Sequence, residues 1–199
     1  MRTRCFVRTF CKIAAALAVC ALLAPQAGAQ GGPAGGQDWK AVTLPSGRTV
    51  RLSSGPETTT LTLSQAQGAP VSVELDRDQD VAPSAPLLDL AAVAEVEGRA
   101  FIITDGYPSV PSGLSYCRAG EEQFLRVLAV SGQLLRQTLR LKLASCRNNV
   151  ELASDGLQWA PDSTTLSVHW LFAPGTDQQP ATQEYKIDLS GTPTLLPKQ

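Results

Sequence analysis

His169 is the residue of this sequence best suited to acid–base chemistry, because it is the chain's single histidine and imidazole titrates near neutral pH. It stands in a stretch where Leu166, Val168 and Trp170 alternate with polar residues, so its side chain is predicted on the polar face of a strand. No G-x-S-x-G motif or other local signature of a nucleophile accompanies it. We therefore expect a surface histidine and keep catalysis at His169 as the alternative.

A second group with chemical potential is the acidic run Asp76-Arg77-Asp78-Gln79-Asp80. It places oxygen ligands at alternate positions, as the start of a calcium-binding loop does. However, Val81 stands where the glycine of the tight turn belongs, and Leu87 stands where the bidentate glutamate belongs. The run is therefore predicted to be a solvated acidic surface loop, and no metal or cofactor is predicted.

Residues 105–120 are rich in proline and glycine and are predicted to be the longest irregular stretch. Loops held on a rigid scaffold often carry recognition, so we predict a contact loop formed by Tyr107, Tyr116, Glu121 and Glu122. The two glutamates are neighbours, and neighbouring side chains of a strand point to opposite faces. They are therefore not expected to work together as an acid–base pair, and no catalytic set is predicted.

The first 29 residues have the three parts of a cleavable secretory signal. Four basic residues and no acid precede an apolar run over residues 13–24, and Ala27-Gly28-Ala29 forms an A-x-A site. Cleavage is predicted between Ala29 and Gln30. The apolar run is well short of the ~20 residues of a spanning helix, and no later segment approaches that length, so no membrane span is expected after cleavage. A lipid anchor at Cys20 is the alternative.

Removal of this signal also simplifies the cysteines and the charge. Of five cysteines, three lie in the signal, which leaves Cys117 and Cys146. A single pair in an oxidising compartment predicts a disulfide. The signal takes four of the 17 basic residues and none of the 18 acidic ones, so the mature net charge is −5. That charge disfavours a nucleic-acid-binding surface.

The cysteines lie in a longer recognisable pattern. The run Tyr116-Cys117-Arg118-Ala119-Gly120-Glu121, followed by Ser145-Cys146, resembles the Y-C-x-A-G-acidic and S-C segments of uncharacterised exported proteins of Gram-negative bacteria. The resemblance implies a shared core over residues 100 to about 172 and supports the disulfide. Separately, the run Trp159-Ala160-Pro161-Asp162-Ser163 is similar to the W-S-P-D-G turn of β-propeller blades, with serine in place of the glycine.

The remaining pattern predicts the elements that must position these residues. Residues 30–37 are glycine-rich and are expected to form a flexible leader, and residues 38–197 are expected to form a single β-rich domain. Alternating segments separated by turn residues predict a mainly β antiparallel meander, either a β-sandwich or a partial propeller-like sheet. Residues 87–96 fit two helical turns or a buried strand, which leaves room for one short helix.

Together these observations predict an exported protein, periplasmic or secreted from a bacterium. The absence of an assembled catalytic signature favours a non-enzymatic binding or accessory protein of the cell envelope, with another envelope protein as its partner. A secreted hydrolase that uses His169 is one alternative. A small inhibitor or immunity-type protein is the other.

Overall fold

Strands make up the regular structure in the part of the chain that the computed structural model describes, which is residues 38–55, 58–83, 85–111 and 120–197. No helix occurs among these residues, so the mainly β prediction is confirmed. The twelve strands are β1 (Asp38–Thr43), β2 (Thr49–Ser54), β3 (Thr59–Leu63), β4 (Val71–Leu75), β5 (Asp89–Val96), β6 (Ala100–Pro108), β7 (Glu121–Ser131), β8 (Leu134–Ser145), β9 (Glu151–Ala160), β10 (Thr165–Phe172), β11 (Ala181–Ile187) and β12 (Pro193–Leu195).

The strands form three antiparallel sheets, each a meander of four consecutive strands. We call them the N-terminal sheet (β1 to β4), the central sheet (β5 to β8) and the C-terminal sheet (β9 to β12). Consecutive strands pair because short turns join them. The β7–β8 turn is the clearest case: Ser131 pairs with Leu134, and Gly132 between them has a φ of 59°, as glycine-first hairpin turns require.

The central sheet is covered on both faces. Phe101 and Ile103 of β6 pack with Leu61 and other residues of the N-terminal sheet. Ile102, which lies between them, packs on the opposite face with Val168 and other residues of the C-terminal sheet. Alternation along a strand sends neighbouring side chains to opposite faces, so the unbroken apolar run of residues 100–103 lets β6 lie in the middle layer of three.

The short helix allowed over residues 87–96 is wrong, because this segment contains β5. Its backbone pairs along β6 from Asp89 opposite Gly106 to Val96 opposite Ala100. The sequence of so short a segment does not determine whether it forms a helix or a strand. Its pairing with the largely buried strand β6 makes it a strand. No helix of the described residues is long and apolar enough to cross a membrane.

The irregular stretch is also shorter than predicted. Its first residues belong to β6, which pairs with β7 as far as Pro108 opposite Glu121. Pro108 fits at this end of β6 because proline is tolerated where a strand pairs weakly or ends. Tyr107 is consequently a strand residue with a buried ring, in tilted contact with the ring of Phe124.

Candidate binding cleft

A cleft of about 770 Å³ opens where turns of the three sheets meet. This volume lies in the range of small-ligand sites. We call it the arginine cleft, because three arginines and no carboxylate line it among the described residues. Its lining residues are Arg48, Gln65, Gly98, Arg99, Ala129, Val130, Ser131, Gly132, Leu134, Arg136, Leu189 and Ser190.

Arg48 fixes the wall that the N-terminal sheet contributes. Its guanidinium donates to Oε1 of Glu95 at 2.6 Å and to the carbonyl of Gly98 at 2.9 Å. Burial raises the pKa of Glu95, but the hydrogen bonds from Arg48 and Ser46 outweigh that effect and hold the pKa below its ordinary value. The guanidinium of Arg48 is thus hydrogen-bonded within the protein, and it links the N-terminal sheet to the central sheet.

The turn between β5 and β6 places Arg99 at the cleft. Glu97 and Gly98 both have positive φ, and the amide of Arg99 donates to the carbonyl of Val96 at 2.9 Å. The carbonyl of Arg99 accepts from the amide of Val130 at 2.7 Å. The backbone of Arg99 is therefore held against the end of β7, while its side chain is exposed.

The start of β8 contributes one apolar and one basic side chain. Leu134 is 62 % exposed, Leu135 is buried, and Arg136 is exposed again. Because strand side chains alternate, Leu134 and Arg136 share a face, and both line the cleft.

The turn from Asp188 to Thr192 forms the wall from the C-terminal sheet. Oδ1 of Asp188 accepts hydrogen bonds from the hydroxyl and amide of Ser190 and from the amide of Thr192, at 2.6, 2.8 and 2.8 Å. These bonds lower the pKa of Asp188. The carboxylate thereby shapes a tight turn that presents Leu189, 44 % exposed, and Ser190 to the cleft.

Gly191 seats this turn on the central sheet. A Cβ atom at Gly191 would lie 2.8 Å from the Cβ of Ala129 and 2.9 Å from the Cβ of Ala100, and its φ is 71°. The carbonyl of Gly191 also accepts a 2.6 Å hydrogen bond from the hydroxyl of Thr138 on β8. Close approach and a left-handed backbone both require glycine here.

The electrostatics of the cleft are one-sided. Within the described chain, no carboxylate lies within 4.0 Å of the guanidinium of Arg99 or Arg136, whereas Arg48 is paired. Beside these two arginines lie the exposed Leu134 and Leu189. An arrangement of this kind suits a ligand that carries negative charge next to an apolar group.

His169 lies elsewhere, on β10, and lines no part of this cleft. Its Nδ1 is 3.4 Å from Oδ2 of Asp155, a residue with a side chain that is 61 % exposed. The nearby hydroxyl of Ser167 donates to Glu184 at 3.3 Å. The expected polar position of His169 is thus matched, since its side chain is 27 % exposed, and Ser167 is not engaged as a nucleophile.

The β9–β10 ladder is irregular beside His169. Val168 pairs with Leu157 while Trp170 pairs with Leu152, so several residues of β9 stand opposite one of β10. Gly156 lies inside this irregularity. A Cβ atom added at Gly156 would lie 3.0 Å from the carbonyl oxygen of His169. The bulge accounts for the presentation of Asp155 toward the histidine.

The acidic run is not a solvated loop at its C-terminal end, and that prediction is wrong for Asp80, which is 4 % exposed. Nζ of Lys142 on β8 lies 2.6 Å from Asp80 and 3.1 Å from Asp78. Asn148 also donates to Asp80. The run is fastened to β8 by opposite charge, and the described residues contain no cluster of three acids, histidines or cysteines able to hold a metal.

Two residues of the predicted contact loop have buried side chains. Tyr107 is 2 % exposed and Glu122 is fully buried, with Oε1 of Glu122 accepting a 2.7 Å hydrogen bond from Ser109. Glu121 is half-buried near Gly106. The strands β6 and β7 extend through these positions, so neither Tyr107 nor Glu122 offers its side chain to a partner in this structure.

The other predicted site residues lie largely outside the described part of the chain: Tyr116, Cys117 and the cleavage pair Ala29 and Gln30. Cys146 is described and follows β8. A side chain at Gly120, three residues after Cys117, would collide with Cβ and Sγ of Cys146. The pairing of Cys117 with Cys146 stays a prediction.

Comparison of the chain with protein-family models, curated proteins and solved structures finds no match. The residues of the arginine cleft themselves indicate which ligand chemistry it suits.

Proposed function

We propose that this chain is an exported, non-enzymatic binding or accessory protein of the bacterial cell envelope, and that it contacts another envelope protein through the arginine cleft. One observation carries the proposal: Arg99 and Arg136, exposed and without a carboxylate partner among the described residues, lie beside the exposed Leu134 and Leu189. Arginine is enriched among the residues that contribute most to binding at protein interfaces, and the buried core of an interface is more apolar than the rest of a protein surface.

Export is supported by residues 1–29, with cleavage between Ala29 and Gln30 and a periplasmic or secreted destination. We propose that Cys117 and Cys146 form a disulfide there. The contact of Gly120 with Cys146 brings the chain close to the second cysteine only three residues after the first. The alternative lipid anchor at Cys20 would add a membrane attachment to the same body.

A secreted hydrolase remains the second candidate because of a single observation, the approach of His169 to Asp155 at 3.4 Å. An acid–base pair of this kind needs a nucleophile within hydrogen-bond reach, and the neighbouring Ser167 is bonded to Glu184 instead. If His169→Ala leaves every activity of a broad hydrolase screen unchanged, this candidate is excluded. An inhibitor or immunity-type protein differs from the main proposal only in the identity of its partner.

The binding proposal is tested by affinity capture from an envelope extract with three forms of the mature protein. The double variant Leu134→Ser with Leu189→Ser removes apolar surface from the cleft. Leu171→Ser is the matched control, because Leu171 and Leu189 are both 44 % exposed and Leu171 lies on β10 outside the cleft. We expect a partner retained by the wild type and by Leu171→Ser and lost by the double variant; equal retention by all three would contradict the proposal.

A further inference from the structure

We infer that the arginine cleft recognises an acidic peptide segment of its partner, one in which a carboxylate side chain is close to an aliphatic side chain. The inference rests on the proposed function and specifies the chemistry of its partner. It follows from how charge and apolar surface are distributed among the residues of the cleft.

The charges of the cleft distinguish a fixed arginine from two available ones. Arg48 already donates to Glu95 and to the carbonyl of Gly98, so its guanidinium is largely satisfied within the protein. Arg99 and Arg136 have no such partner among the described carboxylates; Arg99 comes from the turn between β5 and β6, and Arg136 from the start of β8. A carboxylate that docks between the two arginines would gain charge-assisted hydrogen bonds that the unbound protein lacks.

The apolar surface lies next to those charges, on two walls. Leu134 shares a face of β8 with Arg136, and Leu189 stands on the rigid turn of the C-terminal sheet. Their exposed fractions of 62 % and 44 % leave substantial aliphatic area to be buried. Glutamate or aspartate next to leucine, isoleucine or valine is the peptide composition that satisfies both kinds of surface at once.

The net charge of the rest of the molecule would help to orient an acidic partner. The chain has 18 acidic residues against 17 basic ones, and removal of the proposed signal takes four of the basic residues. An acidic partner is therefore repelled by the protein as a whole and attracted only where arginines outnumber acids. Charge complementarity of this kind suppresses wrong orientations and fixes the docked one.

The test uses fluorescence anisotropy of the full mature protein with short labelled peptides. The probe alternates glutamate with leucine; one control peptide alternates lysine with leucine, and a second alternates glutamate with serine. We expect binding of the first probe alone. Binding should weaken about tenfold for Arg99→Glu or Arg136→Glu, since a hydrogen bond to a charged group contributes about 1.5 kcal/mol or more.

Lys186→Glu is the matched charge reversal, because Lys186 is exposed on β11 and does not line the cleft. It should bind the probe as the wild type does. Circular dichroism of each variant checks that it is folded. Raising the ionic strength from about 0.05 M to about 0.5 M should weaken binding of the acidic probe, because the arginines are exposed to screening.

Three outcomes would overturn the inference. Equal binding of the lysine–leucine and glutamate–leucine peptides would show that charge is not read. Binding of laurate or inorganic phosphate at the cleft, without binding of the acidic peptide, would assign a small anion instead. Capture of an envelope partner that is lost on leucine replacement but unchanged by Arg99→Glu and Arg136→Glu would contradict the inference and leave the proposed function standing.

Discussion

Arg48 and Arg99 lie in the same cleft but differ in what satisfies their charge. Arg48 is held by a carboxylate and a carbonyl, both within 2.9 Å, whereas Arg99 is fixed through its backbone and leaves its guanidinium exposed. The first arginine joins two sheets, and the second is free to meet a ligand. Both residues are arginines, so residue type alone does not predict which role each has. The difference is that Arg48 has the carboxylate of Glu95 beside it.

Two buried carboxylates predict how stability depends on pH. Cationic neighbours lower the pKa of Glu95 and of Asp80 despite the opposing effect of burial. A carboxyl group with a folded-state pKa below its unfolded value stabilises the protein above the unfolded value and loses that contribution as pH falls. We therefore expect the free energy of unfolding, measured with urea, to fall between about pH 6 and about pH 3.

The variants Asp80→Asn and Glu95→Gln should each reduce this pH dependence, because the titrating group is removed. Glu74→Gln is the control, since Glu74 is exposed on β4 and forms no salt bridge with a described residue. A pH dependence that is the same in all three variants would mean that other groups are responsible.

Turns and the ends of strands next to them form the arginine cleft. Asp188 shapes the turn between β11 and β12, and Gly191 allows that turn to touch the central sheet at Ala129. The turns place Arg99 and Leu189 at one opening, and the start of β8 places Leu134 beside them. Binding residues are often found on loops that a rigid scaffold positions.

Gly191→Ala should destabilise the protein by about 2 kcal/mol, because its new Cβ would overlap Ala129 and Ala100. The control is Gly175→Ala. Gly175 has nearly the same φ, 69° against 71°, but nothing lies within 4 Å of a Cβ built on it. Urea unfolding of both variants separates the cost of the backbone conformation from the cost of the overlap. Equal destabilisation would show that the close packing of the turn contributes nothing.

The strands could be predicted from the sequence far better than the cleft. Alternation of Leu166, Val168 and Trp170 with polar residues is visible locally, and these three side chains are buried as it indicates. The local pattern did not predict features that depend on tertiary contacts. For example, β6 continues to Pro108, which pairs with Glu121 of β7. Asp80 is likewise paired with Lys142, which lies 62 positions away in the chain, so its environment could not be predicted from its sequence neighbours.

The cleft itself carries no local signal. Its residues range from Arg48 to Ser190 and come from turns and strand ends of three sheets, so only the packing of those sheets brings them together. The glycines at turn positions, such as Gly132, predicted where turns would lie. These glycines could not indicate that the turn at Gly132 and the turn that carries Arg99 would line the same cleft.

Three sheets packed on one another hold the described residues together, and the proposed disulfide would add a covalent link. The central sheet is covered on both faces, and the chain leaves it at Ser145, the residue before Cys146. The proposed link between Cys117 and Cys146 would tie the segment before β7 to the end of β8. Its closed loop of about thirty residues limits the freedom of the unfolded chain.

Replacing both cysteines, Cys117→Ser with Cys146→Ser, should therefore lower the free energy of unfolding by about 3 kcal/mol. Intact mass measurement after alkylation under denaturing conditions is the companion test. We expect the mature protein to begin at Gln30 and to take up no alkyl groups until it is reduced. Two alkyl groups added without reductant would contradict the disulfide, and a mature terminus at a lipid-modified Cys20 would contradict the cleavage site.

Photo-crosslinking in intact cells tests whether the arginine cleft contacts another envelope protein. A photoreactive amino acid is introduced at position 189 in one strain and at position 171 in another; the native leucines are equally exposed, and only Leu189 lines the arginine cleft. We expect a discrete crosslinked envelope partner from position 189, abolished by Arg99→Glu with Arg136→Glu, and none from position 171. Equal crosslinking from both positions, or a partner trapped only from position 171, would contradict the proposed contact.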